Sequence, residues 1–343
     1  MSVSMSPSLS DVFARLVSRR LFPVVLTMIF CVVAAGQSPA DEKSSPGTSG
    51  MYVSIRDGFL GDEIFPTPIE GLRRLGVDAI ELNLGRDFSV RALDSGERVL
   101  LRTDDEARAF RQNTEKLGVR ICAVMTACDF SAGDAKSNIA WIARAIEIAD
   151  LLGAPAVRID SAMSKEKELD FETRVNLFVE GLGGALKRTP NSKVMLGIEN
   201  HGFQGNNLAF LLNVFQQAGS VRLGSTLDLC NFYWRGYPLY EVYGILRILA
   251  PYAKHTHAKS IHYPAEQREV MREAGWEYGK YACPLDEGDI DLAKVVGILA
   301  KAGYKGDICI EDESLGKCAT PNERVAVLER DVAYIRRILE SAR

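Results

Sequence analysis

The chain has 343 residues, 47% hydrophobic and 25% charged, with a formal net charge of −4. This is ordinary globular composition. No basic cluster follows residue 20, which excludes the electrostatic footprint of a nucleic-acid binder.

The first 36 residues carry +2, from Arg15, Arg19 and Arg20 against Asp11, so the remainder carries −6. The three arginines precede a fifteen-residue apolar run, Leu21 to Ala35, which ends in small residues. That is the layout of a signal peptide over 1–36. The run falls short of the roughly 20 residues a spanning helix needs, and Pro23 interrupts its start. Ser18-Arg19-Arg20-Leu21-Phe22 also resembles a twin-arginine signal. The expectation is an exported protein, periplasmic or extracellular, without stable membrane association once the signal is removed. An uncleaved anchor is the alternative. Residues 37–49 are rich in Ser, Pro and Gly and read as a disordered linker. Six cysteines follow the linker, with no CxxC, and Cys122 and Cys309 fall inside expected strands, so the set reads as buried structural thiols.

From residue 50 to 343 the sequence repeats one phrase: an amphipathic helix, Leu-Gly or Ala-Gly, then an apolar run. It recurs at Leu75-Gly76, Leu117-Gly118, Leu152-Gly153, Ala218-Gly219 and Ala302-Gly303. Glycine just past a helix supplies the left-handed C-terminal cap. The spacing predicts strands over 52–55, 77–82, 119–125, 156–160, 194–199, 221–228, 254–259 and 307–312. Thr103-Asp104-Asp105-Glu106 and Thr320-Pro321-Asn322-Glu323 are capping boxes that open two of the helices. Eight strands alternating with helices predict an α/β fold, a single (β/α)8 TIM barrel. The alternative, a doubly wound open sheet, would normally carry a glycine-rich loop after its first strand, and Ser54-Ile55-Arg56-Asp57-Gly58 is not one.

A barrel of this kind places its chemistry where strands end. Those ends supply Glu81 and Asn83, Thr126, Arg158 and Asp160, Glu199 and His201, Asp228, His257 and Lys259, then Glu311 and Glu313. Carboxylates crowded on one axis repel unless a cation lies between them. Three carboxylates and one imidazole suit a divalent ion, with Mn²⁺ favoured and Mg²⁺, Co²⁺ or Zn²⁺ as alternatives. Glu311 and Glu313 share a strand face that Asp312 does not, which leaves Glu313 as an alternative ligand. His255 lies deeper in its strand than His257. Segment 260–288, with Tyr263, Trp276, Tyr278 and Tyr281, is too long for an ordinary connection and reads as a lid or a substrate-shaping insertion.

Gly197-Ile198-Glu199-Asn200-His201, Leu227-Asp228, His257-Ala258-Lys259 and Gly303-Tyr304-Lys305-Gly306 through Glu311 resemble the xylose isomerase-like sugar-phosphate isomerase/epimerase superfamily. Pro284 to Asp291 resembles that family's loop before the last barrel helix, and the likeness spans roughly residues 51–340. The resemblance implies that Glu199, Asp228, His257 and Glu311 ligate a metal. It implies also that Glu199 and Glu311 form the acid/base pair of an enediolate reaction. His201 and Lys259 would meet substrate hydroxyls or the oxyanion, and Arg158 an acidic or phosphorylated end. Trp234 is the candidate to stack on substrate. Family members often place a histidine three residues after the sixth-strand aspartate, where this chain has Asn231.

The expected function is a metal-dependent isomerase or epimerase of a sugar or related polyhydroxy carbonyl compound. A lyase of the same superfamily and a non-catalytic sugar-binding barrel are the alternatives. The expected partner is a small sugar-like molecule, and a homo-oligomer is left open.

Overall fold

The computed structural model describes residues 50–61 and 63–341, so the expected leader (1–36) and linker (37–49) lie outside the described residues. Among those described, no helix is long and apolar enough to cross a membrane. The strands are β1 (Tyr52–Arg56), β2 (Ala79–Asn83), β3 (Ser89–Arg91), β4 (Arg98–Leu100), β5 (Arg120–Thr126), β6 (Ala156–Ile159), β7 (Met195–Glu199), β8 (Leu223–Asp228), β9 (Ala253–His257), β10 (Ser260–Ile261), β11 (Ala282–Cys283) and β12 (Asp307–Ile310). Eight of them form one sheet in the order β12-β1-β2-β5-β6-β7-β8-β9, with every pairing parallel. The ends of that sheet meet at a parallel bridge between Ala258 and Ile310. There Ala258 N–H donates to Cys309 O at 2.8 Å and Glu311 N–H to Ala258 O at 2.9 Å. The sheet is therefore a closed barrel, as the alternation of elements predicts.

Helices Pro68–Leu75, Asp104–Lys116, Ala135–Leu152, Phe171–Arg188, Leu208–Ala218, Leu239–Leu249, Leu292–Lys301 and Pro321–Ser341 each follow one barrel strand. Their ends obey the sequence signals. Thr103 and Glu106 form a reciprocal capping box, and Glu323 N–H and Thr320 N–H exchange bonds with the other's side chain at 3.2 Å each. Gly76, Gly153 and Gly219 take the left-handed cap conformation. Four strands, β2, β5, β7 and β8, begin one or two residues later than expected, and at β2 and β5 the reason is that the residue after the cap still serves the helix. Val77 N–H donates to Leu72 O at 2.9 Å and Val119 N–H to Thr114 O at 3.0 Å, so neither is available to the sheet. The last two barrel strands end earlier than expected, at His257 and Ile310. Beyond His257 the chain leaves the barrel to form the antiparallel β10–β11 hairpin.

That hairpin brackets the long 260–288 segment, which is folded and anchored. The Arg272 guanidinium lies between the Tyr233 and Tyr263 rings, 4.5 and 4.4 Å from their centroids, and donates to Tyr233 O and Tyr237 O at 3.1 Å each. Trp276 stacks on Tyr281 at 5.5 Å. The six cysteines from Cys122 to Cys318 are free thiols, five of them buried.

The final helix is seated by Asp331, whose Oδ1 accepts the Leu285 N–H at 2.9 Å and whose carboxyl lies close to that of Asp312. Burial first, and Asp312 second, push the Asp331 pKa from 3.8 to about 9. A carboxyl with a raised folded pKa holds its proton more tightly when folded. Its contribution to stability therefore falls as pH rises from 3.8 towards about 9, and falls no further above that. Asp331→Asn keeps an N–H for Asp312 and removes the titration. The Tm advantage of the variant over wild type should grow from pH 5 to pH 8 and level off above pH 9; a difference independent of pH would contradict the assignment.

Candidate functional site

Glu199 is the last residue of β7, and close approach of the neighbouring strand fixes its position. A Cβ on Gly197 would lie 2.4 Å from Thr226 Oγ1 and 2.6 Å from Thr226 N, so only glycine lets β7 and β8 approach this closely. Just beyond Glu199 the side chain of Asn200 continues the pairing where the backbone ladder stops. Its Nδ2 donates to Asp228 O at 2.9 Å and its Oδ1 accepts the Asp228 N–H at 2.8 Å. Asp228, at the end of β8, is then pinned by the N–H groups of Cys230 (2.8 Å) and Asn231 (2.6 Å), both on Oδ1.

These constraints bring Glu199, Asp228, His257 and Glu311 together, all buried, with one ligand atom from each lying within 4.8 Å of the others. His257 Nδ1 is 3.2 Å from Glu199 Oε1 and 3.4 Å from Glu311 Oε2. Asp228 Oδ2 is buried and makes no hydrogen bond, although the Lys259 ammonium lies 3.2 Å away. An unsatisfied buried carboxylate oxygen, aimed into a set of two further carboxylates and an imidazole, fits a divalent cation.

Cations already inside the barrel hold most of this charge. Arg158 is buried and donates from Nε to Glu199 Oε2 at 2.5 Å, with its Nη2 on Asp160 Oδ2 at 3.2 Å. Burial opposes ionisation of Glu199, but Arg158 and then His257 outweigh it and hold its pKa well below the usual range. For Asp228 burial wins over Lys259, and its pKa is raised. Burial lowers and Glu81 and Glu199 raise the His257 pKa, with a net rise. Lys259 Nζ reaches Glu311 Oε2 at 3.1 Å and Glu313 Oε1 at 3.2 Å as well as Asp228. Arg56, at the end of β1, pairs with Glu311.

Of the remaining expected residues, Asn231 contacts the cluster directly and His201 connects to it through Asp160 and Arg158, whereas the Trp234 ring lies against Gly275 of the long segment. Asn231 Nδ2 is 3.4 Å from Glu199 Oε1. His201 is part-exposed, with Nδ1 3.0 Å from Asp160 Oδ1, and that bond raises its pKa. Trp234 docks the long segment through its carbonyl, which accepts the Gly275 N–H at 2.8 Å. Glu313 opens a 3-10 turn outside the four-residue cluster and pairs with Lys259. Asp312 turns away to Asp331.

Sequence reasoning passed over Arg56 and the pairing role of Asn200, and it named Tyr278 only as part of an insertion. The Tyr278 hydroxyl donates to Glu313 Oε2 at 2.7 Å, which brings the 260–288 segment to the edge of the site. Arg56 was findable by the strand-end rule that supplied the others. A cavity of about 390 Å³ opens at the ends of β1 and β2 beside Asp57, Asn83 and Arg98, and none of the four convergent residues lines it.

The family model described as xylose isomerase-like TIM barrel matches residues 69–338. The chain belongs to that family. Solved structures with the same fold include an L-ribulose 3-epimerase at 17% identity, covering 84% of this chain and 95% of that one, with a TM-score of 0.59. A D-psicose 3-epimerase from Clostridium cellulolyticum H10, solved with D-tagatose, matches at 14% identity over 83% and 98%, TM-score 0.60. The IOLI protein with a bound zinc atom matches at 14% identity over 85% and 99%, TM-score 0.60. These likenesses establish the fold. No curated protein matches the chain in sequence.

Asn200→Ala removes both side-chain bonds between the ends of β7 and β8. Each buried group left unsatisfied costs about 1–3 kcal/mol, so denaturant unfolding should show a loss of about that size or more. Wild-type stability in the variant would mean that the two strand ends are held by something else.

Proposed function

We propose that this barrel is a metal-dependent isomerase or epimerase of a sugar or related polyhydroxy carbonyl compound, acting by proton abstraction beside the carbonyl to give an enediolate. The observation that carries the proposal is the convergence of Glu199, Asp228, His257 and Glu311 on one buried point at the carboxyl ends of four barrel strands. Held by those four residues, a divalent ion would supply Lewis-acid stabilisation of charge developing on the substrate oxygens, and the oxygen-rich set suits Mn²⁺, with Mg²⁺, Co²⁺ or Zn²⁺ as alternatives.

The chain's own groups supply the proton chemistry. Glu199 is kept ionised by Arg158 and is the base that takes the proton. Glu311, approaching from the last strand and contacted by Lys259, is the partner that in its protonated form returns a proton to the other face in an epimerisation. Glu199 then holds the proton taken from substrate, and Glu311 is ionised until both exchange with solvent. Lys259 would also donate to the developing oxyanion. His201 and Asn231 would meet substrate hydroxyls, and Trp234 would offer a face for the sugar ring. Arg158 is committed to Glu199 and Asp160, so its role here is to hold the base. An exported location, as the leader suggests, accords with an unphosphorylated substrate.

Three measurements test the reading. Elemental analysis of purified wild type should find near-stoichiometric divalent metal, and His257→Ala should lose most of it. Glu199→Gln should lower turnover about 10²- to 10⁴-fold, the usual contribution of a general base. A ketose substrate incubated in deuterium oxide should gain carbon-bound deuterium with wild type and not with Glu199→Gln. Failure of every tested sugar to exchange, in protein that holds its metal, would sink the enediolate mechanism.

A further inference from the structure

Beneath the four convergent residues runs a buried polar chain that the proposed reaction does not use. Glu81, on β2, sits between two imidazoles. Its Oε2 is 2.8 Å from His257 Nε2 and its Oε1 makes a 3.1 Å contact with His255 Nε2. His255 turns its Nδ1 to Asp307 Oδ1 at 2.9 Å, and Asp307 Oδ2 accepts from Ser54 Oγ at 2.5 Å. Glu81, His255, Asp307 and Ser54 are all buried. Arg56 Nε also approaches Glu81 Oε2, at 3.6 Å. The two faces of the His257 ring edge are thus distinct: Nε2 looks down at Glu81, while Nδ1 looks up at Glu199 and Glu311.

We infer that Glu81 is a positioning residue that fixes His257 in the tautomer protonated on Nε2, so that the Nδ1 lone pair faces the metal position. The inference rests on the metal-dependent reading above. An ionised carboxylate can only accept, so the ring nitrogen facing it must carry the proton, and a neutral imidazole then has its single lone pair on the other nitrogen. Metal-binding histidines commonly donate their second N–H to a carboxylate, and loss of that partner costs about 10- to 100-fold in metal affinity. Glu81 also lies in a group with His255, His257 and Cys309 whose ligand atoms fall within 4.8 Å of one another, which raises the competing reading of a second ion held there. Against that reading, His255 Nδ1 is bonded to Asp307 at 2.9 Å and Glu81 Oε2 to His257 Nε2 at 2.8 Å. Glu81 Oε1 and His255 Nε2 lie 3.1 Å apart without a hydrogen bond, so the number of ions bound decides between the two readings.

The test uses Co²⁺ titrated into metal-stripped wild type and Glu81→Gln, followed by its visible absorption, with circular dichroism as the folding control. The amide of the variant can donate where the carboxylate can only accept, so His257 loses its enforced tautomer. The expected result is one Co²⁺ per wild-type chain and about 10- to 100-fold weaker binding with an altered spectrum in folded Glu81→Gln. A measurement that needs no variant accompanies it: nitrogen-15 NMR of Zn²⁺-loaded wild type should find His257 protonated on Nε2 and metal-bound through Nδ1. The reverse assignment would overturn the inference. Equal affinity and spectrum in the two proteins would overturn it while leaving the metal reading intact. A second Co²⁺ in wild type that is lost in Glu81→Gln would make Glu81 a ligand and overturn it likewise. Wild type that binds no Co²⁺ would overturn the metal reading, and this inference with it.

Discussion

Charge balance inside a dry barrel is the constraint on which the rest of this structure depends. Glu81, Glu199, Asp228, Asp307 and Glu311 are all buried, and an ionised carboxylate removed from water is costly unless something pairs with it. The chain answers with Arg56, Arg158, Lys259 and two imidazoles, each drawn from a different position on the barrel wall. Such a network is weak evidence of stabilisation, since well-packed apolar residues in the same volume are often as stable or more so. Breaking one pair is another matter, because the group left behind stays buried; losses of about 3–5 kcal/mol are usual. The interior is therefore tuned for a purpose other than stability, and the fold must be secured elsewhere. It is secured by the apolar layer between the strands and the surrounding helices, where Ile80, Val157, Leu196, Ile308 and Leu328 are fully buried.

Much of this was legible in the sequence, and the parts that were legible share a cause. Helix ends announce themselves through local chemistry: Thr103 with Glu106, Thr320 with Glu323, glycine at 76, 153 and 219. Once the ends are known, the strands follow by exclusion, and strand ends then nominate Glu199, Asp228, His257 and Glu311. At β2 and β5 the errors of one or two residues at the strand start came from the cap itself, because Val77 and Val119 still bond the helix behind them.

What stayed hidden depends on distance across the fold. Nothing local marks Asn200 as a substitute for backbone pairing, because its partner Asp228 is 28 residues away. Arg158 reads equally well as a substrate anchor or a structural cation until Glu199 is seen against it. Tyr278 belongs to a segment whose length was noticeable but whose path was not; only the tertiary structure brings its hydroxyl to Glu313. Strand alternation separated Glu311 from Asp312, yet the strand ends at Ile310, and it is the 3-10 turn beginning at Glu313 and capped by Asp312 that sends the two carboxyls apart.

The barrel's closing seam carries a further consequence. Other neighbouring strands share between two and five paired positions, whereas β9 and β12 meet at the single Ala258–Ile310 bridge. Around it the Thr256 hydroxyl donates to Asp307 O at 2.7 Å and accepts the Cys309 N–H at 3.3 Å. His257 with Glu311, and Lys259 with Glu311, span the same line. Side chains, more than backbone, zip this joint, and two of the four convergent residues are among its teeth. A ligand gripped by both sides would act as a rivet, resisting the local opening of the least-laddered edge by the mass-action linkage between binding and folding. The place where the cylinder has the fewest paired positions is also the place where an occupant would add most to them.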